Sequence, residues 1–306
     1  MDLRQLNALL AVADTGSFSA AARALHTVQS NVSTHVARLE KELGSVLIDR
    51  ATGRLTEEGE LVAARARRVR AELDALVADL ASLHDEVAGT ARIGVIGTTA
   101  RWLVPRLVDA MRARHPRVRV VVVDATTTSL ALQLTSGLLD LAVVNLPLSD
   151  PEIRTDHLFD EDRLLVVPAG HPLYGRDRLT LADLDGEPLL LEPKGTGFRD
   201  HLDEQCRQAG IELEPQAEVD GMRLLASLAF QGFGAALLPA SAAPSWVGGE
   251  WKRVPIDGLE GRSVGLATRR KGMLSAPARA LRDVVLEVVR TEGPKQPGIH
   301  ADVTDR

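Results

Sequence analysis

Residues 17–56 read SFSAAARALHTVQSNVSTHVARLEKELGSVLIDRATGRLT, and the reading of this stretch decides the N-terminal fold. Phe18, Ala21, Ala22 and Leu25 fall at i, i+3, i+4 and i+7, one apolar helical face. After a tight turn at Leu25-His26-Thr27, Val28, Val32, Val36, Leu39 and Leu43 form a second stripe. Ser17 and Thr27 stand at N-cap positions, and Gly44 where the second helix should stop. At about 100° per residue, Ser30, Thr34, Ala37 and Lys41 point away from the apolar stripe. Asn31, Ser33 and Arg38 flank them, with Gln29 near the tip. A surface helix usually carries Glu and Lys there. Short hydrogen-bonding side chains around an alanine instead let a backbone approach closely, as major-groove base edges require. The other reading is the polar face of a small bundle.

Composition bounds the choice. The chain has 306 residues, enough for two or three domains, and one cysteine, Cys206, which excludes an internal disulfide. A lone cysteine in a helical pattern reads as packing, with redox sensing the alternative. No apolar run approaches a membrane span and no leader precedes the first helix, so the expected place of work is the cytoplasm. The net charge of −6 weighs against a basic nucleic-acid footprint. Residues 1–56 are nearly balanced, with Arg4, Arg23, Arg38, Lys41, Arg50 and Arg54 against Asp2, Asp14, Glu40, Glu42 and Asp49. A basic surface there must be local.

Residues 11–50 resemble the winged helix-turn-helix of LysR-type transcriptional regulators. The resemblance rests on Ser17-Phe18, Ala21-Ala22, Leu25, Gln29, Ser33, Leu39-Glu40, Leu43-Gly44, Leu55-Thr56 and Gly59, and continues more weakly along nearly the whole chain. It implies double-stranded DNA as a partner. Gln29, Ser30, Asn31, Ser33, Thr34 and Arg38 are then the candidates for base or nearby phosphate contact, and Ser17, Thr27, Arg50 and Arg54 for backbone positioning. Ser30 and Asn31 replace the commoner proline and small residue, which bears on base preference. The wing between Arg50 and Leu55 is about two residues shorter than usual.

Outward from the motif, residues 2–14 predict a first helix with Leu6, Leu9, Leu10 and Ala13 on one face. Residues 45–56 predict a hairpin wing turning at Thr52-Gly53. From Glu57 to about Val87 one long helix is expected, roughly 45 Å at 1.5 Å per residue, closed by Gly89. Val69, Leu73, Leu76, Leu80, Leu83 and Val87 alternate steps of four and three, a narrow seam best buried against a second copy. A homodimer or homotetramer follows. Arg65, Arg67, Arg68 and Arg70 offer either phosphate contacts or a solvated face.

Beyond Gly89, strands and helices alternate. Strands are expected at Ala91–Ile96, Val118–Val123, Leu141–Val144, Leu164–Val167, Pro188–Leu191, Ala217–Val219, Ala235–Leu238 and Ser263–Ala267, and helices at Trp102–Arg114, Ser129–Ser136, Phe198–Ala209, Met222–Phe230 and Ala276–Val289. The apolar strands read as parallel and covered on both faces. The fold class is therefore α/β overall: an all-α winged head (1–58), a linker helix (59–89) and a two-lobed α/β domain (90–292). Lobe 1 takes about 90–162 and 268–292, lobe 2 about 163–267, and residues 293–306 read as a disordered tail. The lobes resemble the periplasmic-binding-protein-like effector domain of the same family.

Ligands in such sheets gather beyond the carboxyl ends of strands, near helix N-termini. Those positions hold Thr98, Thr99 and Ala100; Thr126, Thr127 and Thr128; Gly195 and Thr196; and Asp220 and Met222. Hydroxyls and backbone amides there suit an anionic effector, with Arg101 and Arg199 as possible added charge. The alternative is that Ser and Thr simply cap helices. No nucleophile elbow, His-Glu-x-x-His or paired cysteine appears, and the two Gly-x-Gly runs lack a third glycine. Asp140 reads as a loop-to-strand junction. No cofactor, metal or catalytic residue is expected. The rival to a DNA-binding regulator is a solute-binding module whose head only docks.

Overall fold

The structure is a computed structural model that describes residues 1–82 and 87–301; Leu83 of the expected seam and residues 302–306 of the expected tail lie outside that range. Helix α1 (Leu3–Thr15) opens on a capping box in which Asp2 and Gln5 each accept the other's backbone N–H. Helix α2 (Phe18–Ala24) is capped by Ser17, whose hydroxyl accepts from Ala20 N–H at 3.2 Å. Helix α3 (Gln29–Leu43) ends at Gly44 in the left-handed conformation. Leu9, Leu10, Ala21, Val36, Leu39 and Ile48 are among the residues that close one core beneath the three.

Two expectations change here. Val28, not Thr27, is the N-cap of α3 and makes no side-chain cap bond; Thr27 accepts from Asn31 Nδ2 at 3.0 Å instead. Leu25, Val28 and Leu43 stay exposed, because so small a core covers only the middle turns of α3, where Val32, Val36 and Leu39 are buried.

The wing is reduced to one bridge, Ile48 to Leu55. Asp49 holds its turn, accepting from Ala51 N–H and Thr52 Oγ1. Gly53 sits at φ 71°, and a Cβ there would lie 2.6 Å from the Gly16 carbonyl oxygen, so only glycine fits.

Helix α4 (Glu57–Ser82) follows. Val87 does not extend it: Val87 packs on the lobe 1 core, and Gly89 opens a strand rather than closing a helix. Val69, Leu73, Leu76 and Leu80 remain exposed along α4. Of the arginines considered for phosphate contact, Arg67 pairs with Asp14 and Arg68 with Glu152, while Arg65 stands 3.9 Å from Glu152. These side chains tie α4 to its own chain.

Lobe 1 contains β1 (Gly89–Val95), α5 (Gly97–Arg114), β2 (Val118–Asp124), α6 (Thr127–Thr135), β3 (Leu141–Leu146) and β4 (Ile153–Glu161). The chain crosses to lobe 2 at Asp162. Lobe 2 holds β5 (Arg163–Pro168), β6 (Leu179–Thr180), β7 (Pro188–Leu191), α7 (Gly197–Gln208), β8 (Glu214–Glu218), α8 (Met222–Phe230), β9 (Ala235–Pro239) and β10 (Trp251–Asp257). It returns to lobe 1 with β11 (Arg262–Arg269), α9 (Ala276–Glu292) and β12 (Ile299–His300). The sheet orders are β12-β4-β11-β3-β1-β2 and β6-β10-β5-β9-β7-β8.

Both sheets are mixed, not wholly parallel as expected: β11 runs antiparallel to β3 and β4, and β5 antiparallel to β9 and β10. The second lobe boundary moves too, since β11 pairs in lobe 1 and the return crossing precedes Arg262. The expected tail is ordered as far as Ala301, because Ile299 is buried in the lobe 1 core and pairs with Glu161.

Candidate nucleic-acid interface and ligand cleft

Gln29, Ser30, Asn31, Thr34, Ala37 and Arg38 are all exposed on α3, and Ser33 is half-buried. Their side chains are partly oriented by neighbours. Ser19 Oγ donates to Gln29 Oε1 at 2.7 Å, which steadies the amide and leaves its N–H groups outward. Asn31 donates to Thr27, and Thr34 Oγ1 donates back to the Ser30 carbonyl at 2.8 Å. Arg50 reaches from the wing base to Ser33 Oγ (3.2 Å) and Glu40 Oε2 (3.0 Å), with its guanidinium 5.2 Å from the Phe18 ring centre. The other Glu40 oxygen accepts from Leu47 and Ile48 N–H. Glu40 thus fastens the wing to α3. Ser19 and Glu40 were not among the residues singled out from sequence. The Ser19–Gln29 pair carries no readable spacing, and Glu40 appeared only as part of a motif.

The charge problem resolves locally. Asp2 caps α1, and the Gln5 N–H lowers its carboxyl pKa. Glu42 takes the N-terminal ammonium, which lowers its pKa, and Asp49 is lowered by the Ala51 N–H and the Thr52 hydroxyl. Asp14 holds Arg67 and Glu40 holds Arg50. Every acid of the head therefore has a partner inside the chain. Arg23, Arg38, Lys41 and Arg54 make no ion pair among the described residues and are exposed.

The effector-side candidates have different fates. Thr98 and Thr99 lie inside the first turn of α5, not in a loop before it, and both are buried. Thr98 Oγ1 accepts from Arg262 Nη2 at 2.6 Å. Arg262 also donates to Glu161 (Nε–Oε2 2.8 Å) and to Ser241 Oγ (3.3 Å), while the second Glu161 oxygen accepts from Ser241 N–H. This buried network joins α5, both crossings between lobes and the turn after β9. Thr98 is thereby committed to the hinge.

Thr99 Oγ1 is buried without a partner, and Ala100 beside it is half-buried. Thr126 caps α6 through Ser129 N–H and stays exposed, as does Thr128. Thr127 Oγ1 accepts from Asn145 N–H at 3.1 Å, while Asn145 Oδ1 is buried and unpartnered. Gly195 donates to Asp200, and Thr196 caps α7. Asp220 is exposed just before α8, and Met222, its first residue, packs on the lobe 2 core.

Arg101 donates to the Ala242 carbonyl at 3.3 Å. Arg199 is neither a cleft charge nor solvated: it is buried on Asp203, Glu218 and the Glu192 carbonyl. The cation the sequence did not single out is Arg223, which reaches across the lobes to Asp124 at 2.6 Å, beside Gly97. Cys206 is buried in the lobe 2 core, and burial pushes its thiol up to about 11. Among the described residues no three His, Cys, Asp or Glu side chains cluster as a metal site, and no helix is long and apolar enough to cross a membrane.

An uncovered polar helix on a helix-turn-helix head, joined through a long helix to a hinged two-lobed domain, defines a DNA-binding regulator with a ligand-controlled domain. Residues 3–60 match the bacterial regulatory helix-turn-helix protein, lysR family, and residues 84–290 match the LysR substrate binding domain. The chain belongs to the LysR family of bacterial transcriptional regulators. It is not an enzyme.

The chain is 36% identical over 300 residues to a probable hydrogen peroxide-inducible genes activator of Mycobacterium leprae, covering 94% of each. Among solved structures it resembles a full-length OxyR variant from Pseudomonas aeruginosa (TM-score 0.76, 26% identity, 95% of each chain). It also resembles full-length CbnR complexed with its target DNA (TM-score 0.69, 26% identity, 95% of this chain and 99% of that one).

Proposed function

We propose that this regulator works in the cytoplasm as a dimer or higher assembly paired along the exposed α4 seam, setting two α3 helices in successive major grooves of a roughly palindromic operator. Gln29, Asn31, Ser33, Thr34 and Arg38 read bases or nearby phosphates, with Ser30 beside them; Ser17, Thr27 and Arg54 hold the backbone, and Arg50 acts mainly by fastening the wing to α3. The observation that carries this reading is that every acid of the head is internally engaged while Arg38 and Arg54 stay unpaired around an uncovered polar face. CbnR, a structural neighbour, is solved on its target DNA.

A small anion in the cleft then favours one lobe arrangement and alters the spacing of the heads. Its contacts are Thr99, Ala100, Thr126, Thr127 and Thr128 from lobe 1 and Gly195, Thr196, Asp220 and Met222 from lobe 2; Thr98 serves the hinge instead. Breaking the Asp124–Arg223 bridge frees a cation for the ligand. Footprinting on the DNA beside the protein's own gene, with candidate metabolites added singly, tests this. Gln29→Ala and Arg38→Ala should lose protection, and Thr127→Ala should keep it while losing the metabolite response. Unchanged footprints for both head variants would remove the assignment.

A second reading, response to peroxide, is favoured by the printed name of the Mycobacterium leprae relative. Cys206 is the single thiol, buried and with raised pKa, so no disulfide can form within one chain and little reactive thiolate is present at neutral pH. Cys206→Ser should therefore leave any peroxide response of the footprint as it was. Loss of such a response in that variant would favour thiol sensing.

A further inference from the structure

Strand β5 alternates its side chains between the two faces of lobe 2. Leu164 and Val166 join the core on the α8 side, Leu165 and Val167 the core on the α7 side. Arg163 shares the parity of Leu165 and so turns a guanidinium where an aliphatic residue would fit. It is only 4% exposed. Its Nη2 meets His201 Nδ1 at 3.0 Å, and its guanidinium carbon stands 4.9 Å from the centre of the Phe198 ring. Its Nε and Nη1 have no partner among the described residues.

No neighbouring group neutralises this charge. Arg262 is a like charge already matched by Glu161. Glu260 is largely exposed and faces His201 Nε2 at 3.8 Å. The Cys206 thiol stays protonated. Burial brings Arg163 down to about 10, which still leaves it cationic at neutral pH. An unpaired buried cation with unsatisfied N–H groups is among the costliest things a fold can contain, and such groups normally have a partner.

We propose that lobe 2 carries a small-anion subsite at Arg163, formed by its Nε and Nη1 groups and the first turn of α7, and that it takes a carboxylate. The two unpartnered nitrogens form one planar edge of the guanidinium, the fork that pairs with a carboxylate through parallel N–H···O bonds. The N-terminal end of α7, from which Phe198 and His201 reach Arg163, adds the positive end of a helix of 12 residues. His201 Nδ1 accepts from Arg163, so its proton lies on Nε2, toward Glu260. The subsite belongs to lobe 2 alone and does not depend on the DNA-binding reading.

The test is thermal unfolding of the full-length protein in sodium formate at constant ionic strength, balanced with a bulky sulfonate buffer anion. Wild type should show a saturable rise of several degrees. Arg163→Leu, matching its aliphatic neighbours, should unfold cooperatively with no formate response, and Arg163→Lys should need about tenfold more formate for half the effect. If Arg163→Leu fails to fold, the His201 ring resonances of wild type supply the readout, shifting saturably with formate. A wild type without a saturable response, or an equal response in Arg163→Leu, overturns the proposal. Chloride or phosphate acting as well as formate overturns the carboxylate assignment in favour of an unselective inorganic anion hole.

Discussion

Helix α3 and the first turn of α5 present the same residue types, short hydroxyl and amide side chains near a helix start, and the fold treats them in opposite ways. On α3 they face solvent, oriented by Ser19 and Arg50, with the nearby acids occupied elsewhere. On α5, Thr98 closes a buried network with Arg262 and Glu161. A threonine at a strand-to-helix junction has a ready structural use as cap or hinge partner. A polar row along the middle of a helix has no such default use. That difference separates a surface built for contact from one built for closure.

The sharpest way to break the comparison is to cut the closed network. Arg262→Leu strands the buried Glu161 carboxylate and should cost about 3–5 kcal/mol in denaturant unfolding. Thr98→Ala, which removes one charge-assisted hydrogen bond, should cost about 1–3 kcal/mol by the same measurement. Equal unfolding midpoints for wild type and Arg262→Leu would mean the network does not hold the hinge.

On the open surface the pattern should invert. Gln29→Ala or Arg38→Ala should each weaken operator binding by about 1–3 kcal/mol while leaving the unfolding curve in place. A stability loss as large as the binding loss would make α3 another closed element.

Smaller effects sharpen the edges of the cleft. Burial raises the Asp140 carboxyl pKa, opposed by its bond from Arg92 N–H (2.8 Å) and by Arg269. Because the folded pKa lies above the unfolded one, the native state is penalised once pH rises past the carboxylate range, and nothing is lost below it. Asp140→Asn should therefore be more stable than wild type at pH 7, with the gain vanishing on acidification in a pH series of melts. Arg223→Ala should move stability by at most about 1 kcal/mol, since its pair with Asp124 is largely exposed. Its effect should appear instead in the ligand concentration needed for half response.

The head was largely legible because its helices are amphipathic and short-range: the Ser17 cap and the Gly44 stop stand where their chemistry puts them. Thr27 misled because a valine took the cap, which side-chain preference disfavours. In the lobes, Pro188–Leu191 and Met222–Phe230 were readable to the residue. Strands β4 and β10 were not. Their sequences, IRTDHLFDE and WKRVPID, mix charges into edge and hinge positions, so they lack the continuous apolar run of a buried strand. The hinge was invisible for a different reason. Glu161 and Arg262 lie 101 positions apart, and only the fold makes them partners.

The most direct measurement is a titration of operator affinity against salt for wild type and Arg38→Ala. Predicted is a steep linear fall of log affinity with log salt, with a slope smaller by about one in the variant. Binding that ignores salt, or identical slopes and affinities for the two proteins, would contradict the claim that the α3 face meets DNA.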